Sequence, residues 1–171
     1  MFNARYDFME NPRNHKIMKR IVLETRDWVN VVAITPGKKI VLVKQYRFGA
    51  GKITIEIPAG LIDQNESSQD SAIRELREET GYTTNNWQYL GCVEPNPAFL
   101  NNRCHHWLAM DVVKTTETDL DDGEDIAVEL FPYDELIDAI HTGEVNHVLA
   151  LSALSRIQSF WANVNLSGQS E

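Results

Sequence analysis

Residues 60–82, which read GLIDQNESSQDSAIRELREETGY, constrain the structure of this chain more than any other stretch. Ser67 and Asp70 have the spacing of a capping box, in which side chains satisfy the first free amides of a helix. Gly81 suits the residue just after a helix, because glycine takes the left-handed conformation without a Cβ clash. The pattern therefore predicts one short helix that begins near Ser67 and ends at Gly81.

The two faces of this predicted helix differ in character. One face is apolar at helical spacing and is expected to be buried: Ala72, Ile73 and Leu76. The other face carries Glu75, Glu78 and Glu79, with Arg74 four residues before Glu78. Like charges at this spacing destabilise an isolated helix, whereas a bound hard cation such as Mg²⁺ or Mn²⁺ would stabilise it. The alternative interpretation is a solvated acidic face without a ligand.

Two glycines, one arginine and four glutamates of this stretch have the fixed spacing of a known sequence motif, or box. The stretch resembles the Nudix hydrolase superfamily, whose box is G-x5-E-x7-R-E-U-x-E-E-x-G-U, with U an apolar residue. Every fixed position is present between Gly60 and Gly81, and Tyr82 occupies the last apolar position. The resemblance implies an α/β fold of the family type, an α/β/α sandwich with a mixed β-sheet. It also implies cleavage of a nucleoside diphosphate linked to a second group.

The resemblance further implies a metal site, with Mg²⁺ as the cofactor and Mn²⁺ able to substitute. Glu75 and Glu79 would be the principal ligands, Glu78 a further ligand or a base, and the main-chain carbonyl of Ala59 an additional ligand. Divalent ions neutralise phosphate charge and acidify a bound water molecule. Glu78 and Glu79 are therefore also candidates for a catalytic role.

Arg74 and Glu66 resemble the internal ion pair of the box, which orients the metal-binding carboxylates. Because it holds these carboxylates, Arg74 is also a candidate catalytic residue. Gly60 and Gly81 are expected to serve backbone conformation rather than chemistry.

An acidic loop at 121–128, DDGEDIAV, offers a candidate catalytic base outside the box. A metal-bound carboxylate is a poor proton acceptor, because the cation lowers its basicity. The ADP-ribose group of the superfamily resembles this arrangement, with a catalytic glutamate in that loop, and Glu124 is our candidate. Asp122 or Asp125 could take its place, and a solvated acidic loop is the ordinary alternative.

The segment 43–60, VKQYRFGAGKITIEIPAG, resembles enzymes that hydrolyse ADP-ribose and other nucleoside diphosphate sugars. Pro97 lies 16 residues after Gly81, a spacing that also resembles this group. The candidate substrate ligands are Arg47, as a bidentate phosphate clamp, and Glu56, Pro97 and Arg103. Each has an ordinary alternative as a surface, strand or turn residue. Trp28, Tyr46 and Phe99 are candidates to stack on a base, with core packing as the alternative.

The rest of the chain reads as strands, turns and two helices. Strands are predicted at 20–25, 28–35, 39–46, 53–58, 87–93, 105–113 and 126–131, and helices at 133–141 and 146–161. We divide the chain into an N-terminal arm at 1–20, a single Nudix domain at 21–165 and a polar tail at 166–171. The arm, with Phe2, Tyr6 and Phe8, is either loosely packed or seated on a partner subunit. Together with the subfamily resemblance, it leads us to expect a homodimer.

Composition narrows the classes of partner. The chain has 171 residues, 43% of them apolar, which suits one domain with a sizeable core. Sixteen basic against 25 acidic residues give a formal charge of −9, which argues against general binding to nucleic acid. No apolar run approaches about 18 residues and the N-terminus lacks a signal pattern, so we expect no membrane partner and a cytoplasmic location. Cys92 and Cys104 are expected to be buried, reduced thiols.

The leading interpretation is a hydrolase of nucleoside diphosphate sugars, ADP-ribose prominent among them, which releases a nucleoside monophosphate and a sugar phosphate. One alternative keeps the box but acts on nucleoside triphosphates or capped RNA. Another is a sensor that binds a nucleotide sugar without cleaving it. The complete set of carboxylates argues against the sensor.

Overall fold

A computed structural model of the protein describes residues 2–120 and 123–157. These residues form eleven strands, three α-helices and one 3-10 turn. The strands are β1 (Asn3–Glu10), β2 (Ile17–Glu24), β3 (Trp28–Ile34), β4 (Lys39–Arg47), β5 (Lys52–Glu56), β6 (Ala59–Leu61), β7 (Tyr82–Thr83), β8 (Asn86–Val93), β9 (Cys104–Met110), β10 (Val113–Lys114) and β11 (Ile126–Pro132). The helices are α1 (Ser68–Thr80), α2 (Leu136–His141) and α3 (Val148–Ser155), and the 3-10 turn is Tyr133–Glu135.

Seven of these strands form one mixed sheet. Strands β11, β4, β3, β9 and β8 lie side by side in that order, while β5 pairs with β4 and β6 pairs with β3. Strands β3 and β9 run parallel, and the other pairs in this sheet are antiparallel. Every residue of β3 after Trp28 is buried, as expected for a central strand covered on both faces.

Helices cover both faces of this sheet. Leu76 of α1 shares one core with Val31 of β3. Leu136 of α2 and Leu154 of α3 share the other core with Val32. Neighbouring residues of β3 enter different cores because successive side chains of a strand point to opposite faces. The α/β/α sandwich with a mixed sheet is therefore confirmed.

Helix α1 begins and ends where the sequence predicts. Ser67 Oγ accepts a hydrogen bond from the Asp70 amide at 3.1 Å. Gly81 follows the helix with a φ of 74°, and its amide donates to the Arg77 carbonyl at 2.8 Å. Both ends are thus satisfied by local contacts, which fixes the register of the carboxylates along the helix.

Two expectations about burial are wrong. Ala72 and Leu76 are buried, but Ile73 is 37% exposed, because successive helix residues lie about 100° apart and it leaves the sheet-facing side. Cys104 is buried in the central part of the sheet, whereas Cys92 is exposed. Strand β8, which carries Cys92, is the last strand at its edge of the sheet.

The N-terminal segment is an ordered hairpin rather than a loosely packed start. Strand β1 pairs antiparallel with β2 along its whole length. The second strand begins at Ile17, before the predicted start at residue 20, so the boundary drawn between residues 20 and 21 falls inside β2. The hairpin joins the sandwich where the Leu23 amide donates to the Phe99 carbonyl at 2.7 Å.

Other boundaries differ by a few residues. The strand predicted at 105–113 ends at Met110, because Asp111 has a φ of 56° and breaks the extended backbone. The helix predicted at 146–161 is shorter, because α3 begins at Val148 and ends at Ser155, where residues 156–157 form a turn. The tail at 166–171 lies outside the described residues. Within residues 2–120 and 123–157, no helix has the length and apolar character needed to span a membrane.

We predict that Gly81→Ala destabilises the fold more than Gly51→Ala. Both glycines have positive φ, 74° and 64°, so each alanine costs about 1–2 kcal/mol of backbone strain. A Cβ at Gly81 would also lie 2.2 Å from the Thr116 carbonyl oxygen, whereas at Gly51 no heavy atom lies within 4 Å. Urea unfolding should separate the two variants by at least about 1 kcal/mol. Equal losses of unfolding free energy would contradict the prediction.

Candidate active site

The polar face of α1 borders a cavity of about 340 Å³, which we call the acidic cavity. Its carboxylates are Asp63, Glu75, Glu78, Glu79, Asp119 and Glu124, and its guanidinium groups are Arg26, Arg47 and Arg74. Residues 59–61 of β6 complete the wall. Carboxylates outnumber guanidinium groups, so the cavity has a net negative charge that favours cations.

Arg74 connects α1 to the loop before it. Its Nε and Nη2 donate to the two carboxylate oxygens of Glu66, both at 2.9 Å. Its Nη1 donates to Glu75 at 2.8 Å and to Glu78 at 3.1 Å, and Nη2 also reaches the Leu61 carbonyl at 3.1 Å. The guanidinium hydrogen bonds lower the pKa of Glu66 to about 2. One arginine therefore fixes the positions of three box carboxylates.

Glu75 and Glu79 are buried and short of compensating positive charge. Only 8% of Glu75 and 4% of Glu79 is exposed. Burial raises the pKa of Glu75 to about 7, although Arg74 opposes the change. Burial also raises the pKa of Glu79 well above its ordinary value, against one hydrogen bond from the Ala59 amide at 3.0 Å. A cation between these side chains would relieve the cost of burying their charge.

Gly60 makes room for this arrangement. A Cβ at Gly60 would lie 2.0 Å from Glu75 Oε1, so a larger residue would displace the carboxylate from this position. Its φ lies outside the left-handed region, in contrast to Gly81. The expectation of a conformational role therefore holds for Gly81, whereas at Gly60 the requirement is space.

The carboxylates of the acidic cavity suit a divalent ion whose remaining ligands come from the substrate and water. Among residues 2–120 and 123–157, no three His, Cys, Asp or Glu side chains are gathered closely enough to hold an ion alone. Mg²⁺ is usually held by one or two carboxylates together with waters and substrate phosphates. Glu75 and Glu79, both beside Ala59 in the acidic cavity, supply that number of carboxylates.

Arg47, whose side chain is 43% exposed, forms an ion pair with the buried Glu56 across the β4–β5 hairpin. Arg47 Nε and Nη2 donate to Glu56 Oε1 and Oε2, both at 2.8 Å, and Thr54 Oγ1 donates to Oε1 at 2.6 Å. Burial opposes ionisation of Glu56, which is 1% exposed, but these hydrogen bonds lower its pKa below the ordinary value. The pair therefore stays charged and holds the guanidinium in one orientation.

A second cavity, of about 370 Å³, shares Arg47 and residues 59–61 with the acidic cavity. We call it the aromatic cavity, because Phe2 and Trp28 line it together with apolar side chains such as Leu149. Aromatic rings in such a wall can stack on a planar base. The two cavities thus meet at an arginine suited to phosphate.

Pro97 and Arg103, which the sequence suggested as substrate ligands, line neither cavity. Both lie in the segment between β8 and β9. There the Arg103 amide donates to Asp27 Oδ1 at 2.8 Å, and the Arg103 carbonyl accepts from the Trp28 amide at 2.9 Å. The main chain of this segment therefore fixes the start of β3.

Glu124 lines the acidic cavity, as a base candidate must. Asp125 is exposed and does not line it, and Asp122 lies outside the described residues. Sequence reasoning missed Asp119, whose amide donates to the Glu78 carbonyl at 2.8 Å and so ties the segment between β10 and β11 to α1. Its only sequence signal is the acidic composition of that segment.

Of the three aromatic candidates, Trp28 lines the aromatic cavity, whereas Tyr46 and Phe99 are exposed and line neither cavity. Sequence reasoning also missed Asn30 and His147, which line the aromatic cavity. Asn30 is a single polar residue on an otherwise apolar strand, and His147 directly precedes α3, so no local pattern marks either residue.

Comparison with known proteins gives the family. The profile of the NUDIX domain matches residues 24–151, a span that contains α1 and all carboxylates of the acidic cavity. The chain therefore belongs to the Nudix hydrolase family.

Relatives share most of the length of this chain. The ADP-ribose pyrophosphatase of Bacillus subtilis is 30% identical over 146 residues, which are 85% of this chain and 79% of that protein. The methanol dehydrogenase activator of Bacillus methanolicus is 31% identical over 89% of this chain and 82% of its own length. The ADP-ribose pyrophosphatase of Mycobacterium tuberculosis is 29% identical over 93% of this chain and 77% of its own.

A solved structure also matches the fold. The structure, described as an ADP compounds hydrolase, superposes with a TM-score of 0.83 over 99% of this chain and 89% of its own. Its sequence identity is 23%, so this likeness shows a shared fold.

The raised pKa of Glu75 predicts a pH dependence of stability without metal. With a pKa of about 7 in the folded state against an ordinary value of 4.5, Glu75 binds a proton more tightly when folded. Its contribution to stability is therefore complete below pH 4.5 and is lost as pH rises towards 7. Urea unfolding in the presence of a chelator measures the free energy of unfolding at each pH. From pH 4.5 to pH 7 this free energy should fall in wild type by up to about 3 kcal/mol more than in Glu75→Gln. Parallel pH profiles for the two proteins would contradict the prediction.

Proposed function

We propose that this chain hydrolyses, with a divalent metal ion, the pyrophosphate of nucleoside diphosphate sugars such as ADP-ribose. The products would be a nucleoside monophosphate and a sugar phosphate. The observation that carries the proposal is the junction of the two cavities at Arg47 and residues 59–61. One cavity suits a nucleoside, and the other suits a metal-bound pyrophosphate. Two relatives named ADP-ribose pyrophosphatase support this choice of substrate.

The proposed metal ligands are Glu75, Glu79 and the main-chain carbonyl of Ala59, with Glu78 as a further ligand. When bound, Mg²⁺ or Mn²⁺ would supply charge neutralisation at the pyrophosphate and a more acidic water. Arg74 would keep Glu75 and Glu78 in place through the two hydrogen bonds of its Nη1. Preorganised ligands of this kind do not have to be ordered when substrate binds.

Arg47 is the proposed pyrophosphate ligand. Glu56 holds its Nε and Nη2, so the rest of the planar guanidinium is presented in a fixed orientation where the cavities meet. Guanidinium groups match phosphate oxygens with directed hydrogen bonds. Glu56 would then act through Arg47 rather than contact the substrate itself.

Glu124 is the proposed general base. It lines the acidic cavity, and its charge contributes to the raised pKa values of Glu75 and Glu79, which places it within electrostatic reach of both. A carboxylate that is not a principal metal ligand keeps its basicity and can accept a proton from water.

We predict that Glu124→Gln lowers the rate about 10²–10⁴-fold, the usual loss when a general base is removed. Calorimetric affinity for Mg²⁺ should change little. The matched control is Glu117→Gln, because Glu117 also lies between β10 and β11 but its side chain is 93% exposed. A wild-type rate for Glu124→Gln would return the role to Glu78 or another loop carboxylate.

A nucleotide-sugar panel tests the proposed function. Each substrate is incubated with Mg²⁺, and phosphate released from the products by an added phosphatase is measured. We expect faster turnover of ADP-ribose than of nucleoside triphosphates or capped RNA. The reverse order would favour a hydrolase of nucleoside triphosphates or capped RNA.

We predict that Glu79→Gln remains folded and loses most of its turnover on this panel. The amide keeps the shape of the side chain but removes the charge that a divalent ion needs. Retained folding is checked by thermal unfolding. A wild-type rate at saturating Mg²⁺ would contradict the assignment of Glu79 as a ligand.

A second candidate function is regulation of another enzyme. It is favoured by the likeness to a protein named methanol dehydrogenase activator. Binding of ADP-ribose without turnover of any panel substrate would support a sensor instead of a hydrolase. The cytoplasmic location expected from the sequence stays a prediction.

We also propose a homodimer, with the β1–β2 hairpin at the interface. One face of the hairpin carries exposed apolar side chains, namely Tyr6, Phe8, Ile17 and Ile21. Arg5 and Asp7 pair on the opposite face. A two-stranded hairpin is marginally stable by itself, so a second copy of the chain would cover the apolar face.

We predict a mass near twice 19.5 kDa by light scattering at micromolar concentration. Phe8→Glu should shift the protein towards monomer, because it places a charge on the apolar face. Met9→Glu is the matched control, since Met9 is also exposed but is the next residue of β1 and so points to the other face. A wild-type mass near 19.5 kDa would rule out the dimer.

A further inference from the structure

His147 occupies the N-cap of α3, where Ser, Thr, Asp or Asn normally supplies a side-chain cap. Its backbone is extended, with φ −70° and ψ 121°, and its side chain makes no capping hydrogen bond. The imidazole lines the aromatic cavity instead. A helix start that lacks its cap while its side chain lines a cavity indicates a function for that side chain.

One edge of the imidazole ring faces Glu56. His147 Nδ1 is buried 3.4 Å from Glu56 Oε2, and within the described chain it has no hydrogen bond of good geometry. The side chain as a whole is 28% exposed although Nδ1 is buried, so another part of the ring is open to the cavity. Arg47 and Thr54 hold Glu56 charged and in place.

This carboxylate selects a tautomer of His147. A proton on Nδ1 faces the negative charge of Glu56, whereas a lone pair there would be repelled. Burial lowers the pKa of His147, although Glu56 opposes the change, so the ring is neutral near pH 7. Nε2 then carries the lone pair and can accept a hydrogen bond.

The surroundings of His147 suit a ribose. Arg47, the proposed pyrophosphate ligand, lines the same cavity, and in a nucleotide the ribose is the group joined to phosphate. Trp28 and Phe2 suit the attached base. Asn30 lines the cavity too, is 2% exposed, and its Nδ2 has no hydrogen-bond partner in the described chain. Polar groups left unmatched beside a cavity are what a hydroxyl-bearing ligand would satisfy.

We propose that His147 determines specificity by accepting a hydrogen bond, at Nε2, from a ribose hydroxyl of the nucleoside. Glu56 positions the ring for this contact, as it positions Arg47 for phosphate. The inference rests on the proposed function, because it takes the nucleoside monophosphate part of the substrate to lie in the aromatic cavity. It adds discrimination between ribose and deoxyribose at a site outside the carboxylate cluster.

The test is calorimetric binding of AMP, 2′-deoxy-AMP and 3′-deoxy-AMP without metal. Wild type should bind AMP about tenfold more tightly than at least one deoxy analogue, because that analogue leaves Nε2 unmatched. His147→Phe should bind AMP about as weakly as wild type binds that analogue, and should lose the discrimination. His147→Gln, which restores an acceptor near the position of Nε2, should recover part of it.

The matched control is His105→Phe. His105 is also half-buried, with a carboxylate oxygen of Asp27 3.5 Å from one ring nitrogen, but it lines neither cavity. This variant should keep the discrimination of wild type.

Three results would overturn the inference: no binding of AMP by wild type, equal binding of the three nucleotides, or an equal loss for all three in His147→Phe. Discrimination by wild type without cleavage of any nucleotide sugar would instead overturn the proposed function and leave the assignment of His147 standing.

Discussion

The candidate active site depends on the hydrogen bonds that the Arg74 guanidinium donates to carboxylates. This guanidinium binds Glu66 in the loop and Glu75 and Glu78 on α1, so the loop and the helix keep one relative position. Gly60 allows the Glu75 carboxylate to lie directly against β6. The result is a set of carboxylates that is ordered before any ligand arrives, at the cost of burying charge that only a cation fully compensates.

A second charged group, the carboxylate of Glu56, is buried at the end of β5 and orients other side chains of the site. It fixes Arg47 at the junction of the two cavities and faces His147 at the start of α3. Substrate recognition would thus follow from one buried group that orients two different ligand-binding side chains. The two cavities differ in the chemistry of their walls: hard carboxylates border the acidic cavity, whereas aromatic and apolar side chains border the aromatic cavity.

The parts of the fold that follow from local spacing were predictable. Helix α1, its end at Gly81 and the contact between Arg74 and Glu78 depend on residues at most four positions apart. The sandwich itself was implied by the resemblance, since periodicity alone predicts elements and not their arrangement. The space required at Gly60, the Arg47–Glu56 pair and the hairpin formed by β1 and β2 depend on tertiary contacts. No short pattern in the sequence records them.

Proton release on Mg²⁺ binding tests most directly the claim that the buried carboxylates of α1 are arranged for a cation. Because burial raises the pKa of Glu75 to about 7, this carboxyl carries a proton at pH 6.5 in most molecules. Calorimetry in buffers of different ionisation enthalpy should then show net proton release when Mg²⁺ binds, and less release in Glu75→Gln. Mg²⁺ binding at pH 6.5 without proton release, or with the same release in Glu75→Gln, would contradict the account.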